Sequence, residues 1–389
     1  MTNQQTQQFI VKHLNDDINS LALKKFPSDV DKHFALQQIE ARQKLKSKVP
    51  SWAENDKLLF PQRISIEQCS SELTARYKAQ LVEGDSFADL SGGLGIDCYF
   101  IAQKFNKADY IEQNADLCEL ARHNFAVLNA NINVTNTKSD IYLSNCAPKD
   151  CLFIDPARRD SHGRKVMLLS DCEPDIRPMI ETALNKSPRL LIKLSPMLDI
   201  TAALKETSHV ANVHIVAVDN ECKELLLDLH RDNQGEPHFF CCNLSTSQPT
   251  VEFTANNEEN APLRLADELG KYLYEPNNAI MKSGFFKAIG NLYGIDKLHI
   301  SSHLYTSSRL IDNFPGRIFA IEQCDTFNKK NVKAIKEGLE RANITTRNFP
   351  LQVAELRKKL SLPEGGDTYL FATTLKNGDK VIIRCQKGI

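Results

Sequence analysis

Four acids and one glycine-rich turn are the residues of this chain best suited to chemistry. Asp89, Glu112 and Asp155 each follow a short apolar run, and Asp140 follows a third short stretch, Val134 to Ser139, that reads as a strand, so each acid is expected at a strand end. An acid after the second run, seventeen residues past Gly95, can accept hydrogen bonds from both hydroxyls of a ribose. Asp155, followed by Pro156-Ala157-Arg158, can take a proton from a nucleophilic N–H or O–H. The segment Asp89-Leu90-Ser91-Gly92-Gly93-Leu94-Gly95 leads into a helical stretch from Ile96. A strand–turn–helix of this kind offers free backbone N–H groups to a ligand and no Cβ to obstruct it. The ligand this suggests is nucleotide-like.

A dinucleotide site wants a third glycine after Gly93-Leu94-Gly95, where Ile96, Asp97 and Cys98 stand instead. A P-loop wants Lys and Ser/Thr there, and both are missing. The remaining pattern, D-x-x-G-G-x-G, resembles the first motif of class I S-adenosylmethionine-dependent methyltransferases, with Ser91 in place of the usual first glycine. The resemblance implies S-adenosylmethionine as cofactor, held by Asp89, Ser91, Gly93, Gly95, Glu112 (ribose) and Asp140 (adenine). It implies Asp155 and Arg158 as the catalytic pair and calls for no metal. Amino-group methyltransferases carry an acid or Asn, two prolines and an aromatic where this chain has Asp155-Pro156-Ala157-Arg158. Arg158 therefore either stacks on or grips substrate, or pairs structurally with Asp155 or Asp160. Carbon-5 pyrimidine methylation needs a cysteine nucleophile, but Lys193-Leu194-Ser195-Pro196 follows the corresponding strand. Direct transfer to nitrogen or oxygen fits better.

The elements that must position these groups alternate. Strands are expected at 87–89, 108–112, 134–139, 151–154, 190–194 and 213–218, with helices between. That order implies an α/β fold, a Rossmann-like parallel sheet whose ligands sit at the strands' carboxyl ends. Strands at 225–229 and 238–242 suit the antiparallel pair that closes class I methyltransferase sheets, and 160–173 reads as a rim loop. Residues 1–81 form an N-terminal helical region ahead of the methyltransferase domain at 82–245. Its last helix, capped by Ser70 or Ser71, carries Leu73, Tyr77 and Leu81 on one face. That helix packs on the domain and is placed to cover the methionine end of the cofactor.

Beyond a polar linker or hairpin at 245–261 the pattern restarts, with helices at 263–274 and 279–293 and strands at 298–300 and 317–321. A final unit has a helix at 331–342, a strand at 344–349, a helix at 353–360 and a hairpin turning at Asn377-Gly378. With Arg347-Asn348-Phe349-Pro350 and Gly365-Gly366-Asp367-Thr368-Tyr369, this tail resembles the THUMP-like domain. That domain follows a small ferredoxin-like segment in such methyltransferases. The expected division is 262–325 for the ferredoxin-like segment and 326–389 for the THUMP-like domain.

At 389 residues the chain has room for several domains, and its formal charge of −1 argues against a globally basic surface. Residues 329–389 nevertheless hold thirteen Lys/Arg against six Asp/Glu, a concentration suited to phosphate contact or to a solvated face. No apolar run approaches a membrane span. Eleven cysteines without a C-x-x-C pair suggest reduced thiols in the cytoplasm. The expected function is methyl transfer to RNA, tRNA or rRNA; the alternative is an RNA-binding protein whose methyltransferase domain has lost turnover. Oligomeric state is left open.

Overall fold

The apolar runs form strands whose side chains are buried on both sides. In this computed structural model, which describes residues 3–61, 63–158 and 169–387, β1 (Gly84–Asp89), β2 (Phe105–Glu112), β3 (Ile132–Asn136), β4 (Cys151–Ile154) and β5 (Arg189–Leu194) run parallel. Phe87, Tyr110, Phe153 and Leu191 are fully buried along them, as befits a sheet covered on both faces. β6 (Val210–Val218) turns into β7 (Glu221–His230) through Asp219-Asn220. Both turn residues are left-handed, with φ of 49° and 64°, the geometry that matches the twist of an antiparallel pair. β8 (His238–Leu244) and β9 (Val251–Thr254) complete a nine-stranded sheet of order β9-β8-β6-β7-β5-β4-β1-β2-β3.

Two expectations change here. The segments 225–229 and 238–242 are not partners: β7 lies between β5 and β6, and β8 runs parallel to β6, with His238 opposite Asn212. The third strand ends at Asn136, and Ser139–Asn145 is helical, so Asp140 stands in a helix's first turn and not at a strand end. Of the two readings of 245–261, the hairpin holds: β9 returns antiparallel to β8, and a helix at Ala255–Asn260 follows, begun by a Thr254/Asn257 capping box.

By compactness the chain divides into residues 1–211 with 226–235, and residues 212–225 with 236–389. In the first unit α1 (Gln4–Lys12), α2 (Ile18–Ala22) and α3 (Lys32–Lys48) bury Ile10, Leu21, Ala35 and Ile39 together. The buried Arg42 guanidinium donates to the carbonyls of Ala53, Asn55, Asp56 and Leu58, fixing the chain that leaves α3. α4 (Glu72–Leu81) starts at Ser71, whose hydroxyl accepts from the Thr74 N–H. Its buried face is Thr74, Ala75, Lys78 and Ala79, not the expected face of Leu73, Tyr77 and Leu81. Around the sheet follow α5 (Ile96–Ala102), α6 (Ala115–Val127) and α7 (Ser139–Asn145).

The second unit contains a seven-stranded sheet of order β11-β12-β10-β13-β16-β15-β14. Its strands are β10 (Tyr272–Pro276), β11 (Asp296–Lys297), β12 (Tyr305–Ser307), β13 (Gly316–Thr326), β14 (Asn343–Arg347), β15 (Thr368–Thr374) and β16 (Lys380–Lys387). The ferredoxin-like and THUMP-like segments thus share one sheet, joined where β13 pairs with both β10 and β16. The expected helix at 263–274 does not form. Gly270 lies so close to the Ser307 backbone that a Cβ would sit 2.3 Å from it, and the chain enters β10 instead. The helix expected at 331–342 shrinks to Val332–Ile335, and Gly338 follows at φ 71°. Residues 298–300 lie in the turn after β11. Among the described residues no helix is long and apolar enough to cross a membrane, and no three His, Cys, Asp or Glu converge on a metal-sized space.

Candidate active site

Ser91, at the family's first glycine position, does what a glycine cannot. Its hydroxyl accepts the Asp155 N–H at 2.6 Å and donates to Asp89 Oδ1 at 3.2 Å, tying the ends of β1 and β4 together. Gly92 is packed tight, a Cβ there falling 2.3 Å from the Tyr110 ring, and Gly95 (φ 84°) abuts Phe125. Gly93 differs: at φ 54° its absent Cβ would meet nothing nearer than the Ser91 carbonyl at 3.6 Å. The turn is therefore closed toward the sheet and open at Gly93, which fits a ligand lying across its backbone. Tyr110 holds it from below, its hydroxyl donating to the Gly93 carbonyl at 2.6 Å.

Asp89 is 1% exposed and accepts the Ser91 N–H at 2.9 Å. Burial, with Asp97 and Asp155 nearby, pushes its carboxyl up to about 8. Glu112 ends β2 and accepts the Gly93 N–H at 2.9 Å on Oε2 and the Asn114 N–H at 2.8 Å on Oε1. The turn and the acid expected at the ribose are thus adjacent. Asp140 is exposed, its Oδ1 accepting the Ile141 N–H of α7, while its neighbour Ser139 donates to the Leu90 carbonyl at 2.6 Å. That bond brings the start of α7 to the turn by a residue other than the expected one. Arg158 pairs with Cys172 in a short two-stranded antiparallel sheet. Its side chain, residue 159 and residues 160–168 of the expected rim loop lie outside the described residues.

Sequence reasoning missed a chain of charges behind Asp155. Lys78 of α4, wholly buried, forms an ion pair with Asp97 Oδ1 at 3.1 Å. Asp97, on α5, also accepts the Ser70 hydroxyl at 2.6 Å, so the two serines ahead of α4 divide the tasks of cap and ligand. Lys193, in β5, lies 3.6 Å from Asp97 Oδ2 and forms an ion pair with Asp155 Oδ2. Burial opposes a charge on Asp97, but Lys78, Lys193 and Ser70 overcome it and hold the carboxyl below its ordinary range. Side-chain exposure rises along the series, 0% at Lys78, 10% at Asp97, 12% at Lys193 and 35% at Asp155. The relay thus runs from the core to a carboxylate that reaches solvent.

Strand order, the inserted antiparallel β7 and an open glycine turn ringed by acids define a class I methyltransferase. A family model described as a ferredoxin-like domain matches residues 272–315, and one described as THUMP domain-like matches 316–387. The crystal structure of a candidate methyltransferase from Porphyromonas gingivalis W83 is 32% identical, covers 99% of this chain and 98% of its own, and superposes with a TM-score of 0.90. Two proteins of Mycobacterium tuberculosis, strains CDC 1551 / Oshkosh and H37Rv, described as uncharacterised S-adenosylmethionine-dependent methyltransferases, are each 20% identical over 301 residues. That match spans 77% of this chain and 80% of theirs. The chain belongs to the family of the Porphyromonas protein and is an S-adenosylmethionine-dependent methyltransferase with C-terminal ferredoxin-like and THUMP-like segments.

Proposed function

We propose that this enzyme methylates RNA, transferring the methyl group of S-adenosylmethionine directly to an oxygen or nitrogen that Asp155 positions. The THUMP domain-like segment at 316–387 is the observation that carries the RNA assignment. Exposed Lys329, Lys330 and Lys333 give that segment a basic surface. Arg357 has a structural duty instead, donating to the Ala342 and Leu362 carbonyls. All eleven cysteines are free, in keeping with a reducing cytoplasm. The deciding experiment is transfer of labelled methyl groups to RNA from a strain lacking the gene. Labelling of protein and not RNA would overturn the assignment.

In this reading the cofactor lies over Gly93, with Glu112 on its ribose. When bound it supplies an electrophilic methyl group; the protein's part is to orient it and exclude water. Glu112→Ala is expected to weaken S-adenosylmethionine binding about 10- to 100-fold, the usual worth of a charged hydrogen bond, and Gly93→Leu to abolish it by filling the open face. Glu112→Gln, which keeps one acceptor, should fall between wild type and Ala. Calorimetry checks this, and an unchanged Kd in Glu112→Ala would remove the acid from the site.

RNA affinity is expected to reside in the C-terminal segment. Neutralising Lys329, Lys330 and Lys333 together should weaken binding and flatten its salt dependence by about 0.7 per lost phosphate contact on a single strand. An unaltered slope in a filter-binding titration would return these lysines to the solvent.

A further inference from the structure

We infer that the acceptor atom is an oxygen, the 2′-hydroxyl of an RNA ribose, and that Lys193 beside Asp155 makes that hydroxyl reactive. The inference rests on the RNA reading above and narrows it. Its basis is the relay Lys78–Asp97–Lys193–Asp155, in which a nearly buried ammonium contacts the half-exposed carboxylate at the carboxyl end of β4.

A nitrogen nucleophile gains positive charge as it takes a methyl group, so an ammonium next to the reacting atom opposes that transition state. A hydroxyl has the reverse need. It is a weak nucleophile until its proton leaves, and the oxygen then carries negative charge that a neighbouring ammonium stabilises. Lys193 thus disfavours an amine acceptor and favours an alcohol, and the internal alcohol of RNA is the 2′-hydroxyl. Asp155 Oδ1 has no partner among the described residues, because Lys193 takes Oδ2 and Ser91 takes the backbone N–H. It is thereby free to receive the hydroxyl proton. The position at which amino-group enzymes place an aromatic to stack on a flipped base is Arg158 here. The absence of an aromatic there agrees with an acceptor on the sugar.

The step balances. The bond from O2′ to the methyl carbon forms as the sulfur–carbon bond breaks, and that electron pair stays on sulfur, which becomes a neutral thioether. The hydroxyl proton passes to Asp155 and from there to water. Charged or titratable groups facing Lys193 include Asp155 at the end of β4, Asp97 of α5 and Cys69 ahead of α4. Asp97 in turn faces Lys78, and Asp89 lies near both Asp97 and Asp155.

The test uses the full-length enzyme, labelled S-adenosylmethionine and RNA from the deletion strain, followed by alkaline hydrolysis of the product. Label in alkali-stable dinucleotides is expected, since a 2′-O-methyl group blocks cleavage of the adjacent phosphodiester. Label in mononucleotides would mean a methylated base and overturn the oxygen assignment while leaving the RNA reading in place. No label in RNA would overturn both. Lys193→Met should lower kcat about 10²- to 10⁴-fold with calorimetric S-adenosylmethionine affinity retained. Its rate should also rise with pH where wild type is flat, because hydroxide must replace the lost activation. Lys193→Arg should restore part of kcat. A Lys193→Met enzyme that binds cofactor and keeps wild-type kcat and pH profile would remove Lys193 from the chemistry.

Discussion

Asp155→Asn is expected to leave the fold and S-adenosylmethionine affinity nearly unchanged while reducing methyl transfer about 10²- to 10⁴-fold, the range for loss of a positioned proton acceptor. Asn preserves the volume, the N–H held by Ser91 and one side-chain oxygen, so β4 and the glycine turn stay joined. It loses the charge that draws Lys193 and the site that takes the proton. Lys193 retains Asp97 at 3.6 Å, so its charge keeps a counterion and the variant should fold. Calorimetry on Asp155→Asn separates binding from chemistry, and label transfer at saturating RNA reads kcat. An Asn variant with full kcat would exclude Asp155 as proton acceptor and return the ion pair to a structural role.

The contrast between Asp155 and Asp140 shows which parts of this site are written in the sequence. Asp89, Glu112 and Asp155 were legible because each closes an apolar run buried on both faces, which gives the strand a sharp end. β3 is half exposed along its length, so its end had no such mark. The helix after it has Lys138 at its N-cap, whose side chain offers no capping oxygen, so Asp140 reads as closing a strand. Lys78, Asp97 and Lys193 were illegible for another reason. A charge within an apolar pattern reads as solvent-facing unless its partner is known, and these partners sit on α4, α5 and β5, far apart in the chain. Lys78 spaced with Ala75 and Ala79 was the available signal, and it would have rotated the buried face of α4 to its observed position. In the C-terminal sheet the same lesson concerns glycine. Gly270, by its contact with Ser307, excludes a helix that periodicity alone proposes, and Gly338, in a left-handed turn, limits another.

Asp97→Asn is expected to cost about 3–5 kcal/mol of stability, the penalty for breaking a buried ion pair by removing one partner. Lys78 has no exposed surface, and its ammonium would keep the Ser70 hydroxyl at 3.3 Å but lose the charge of Asp97. Lys78→Met should cost less, because Asp97 retains Lys193 and Ser70 while the apolar side chain fills the space of the lysine stem. The double variant Lys78→Met/Asp97→Asn should then be more stable than the sum of the single losses allows, with a coupling of the order of 1–3 kcal/mol for groups in direct contact. Urea unfolding of the four proteins measures the cycle. If Asp97→Asn lies within about 1 kcal/mol of wild type, the pair contributes nothing net to stability. If the singles are costly but strictly additive, Asp97 acts through Lys193 and not through Lys78, which ties the buried end of the relay to the carboxylate at the active site.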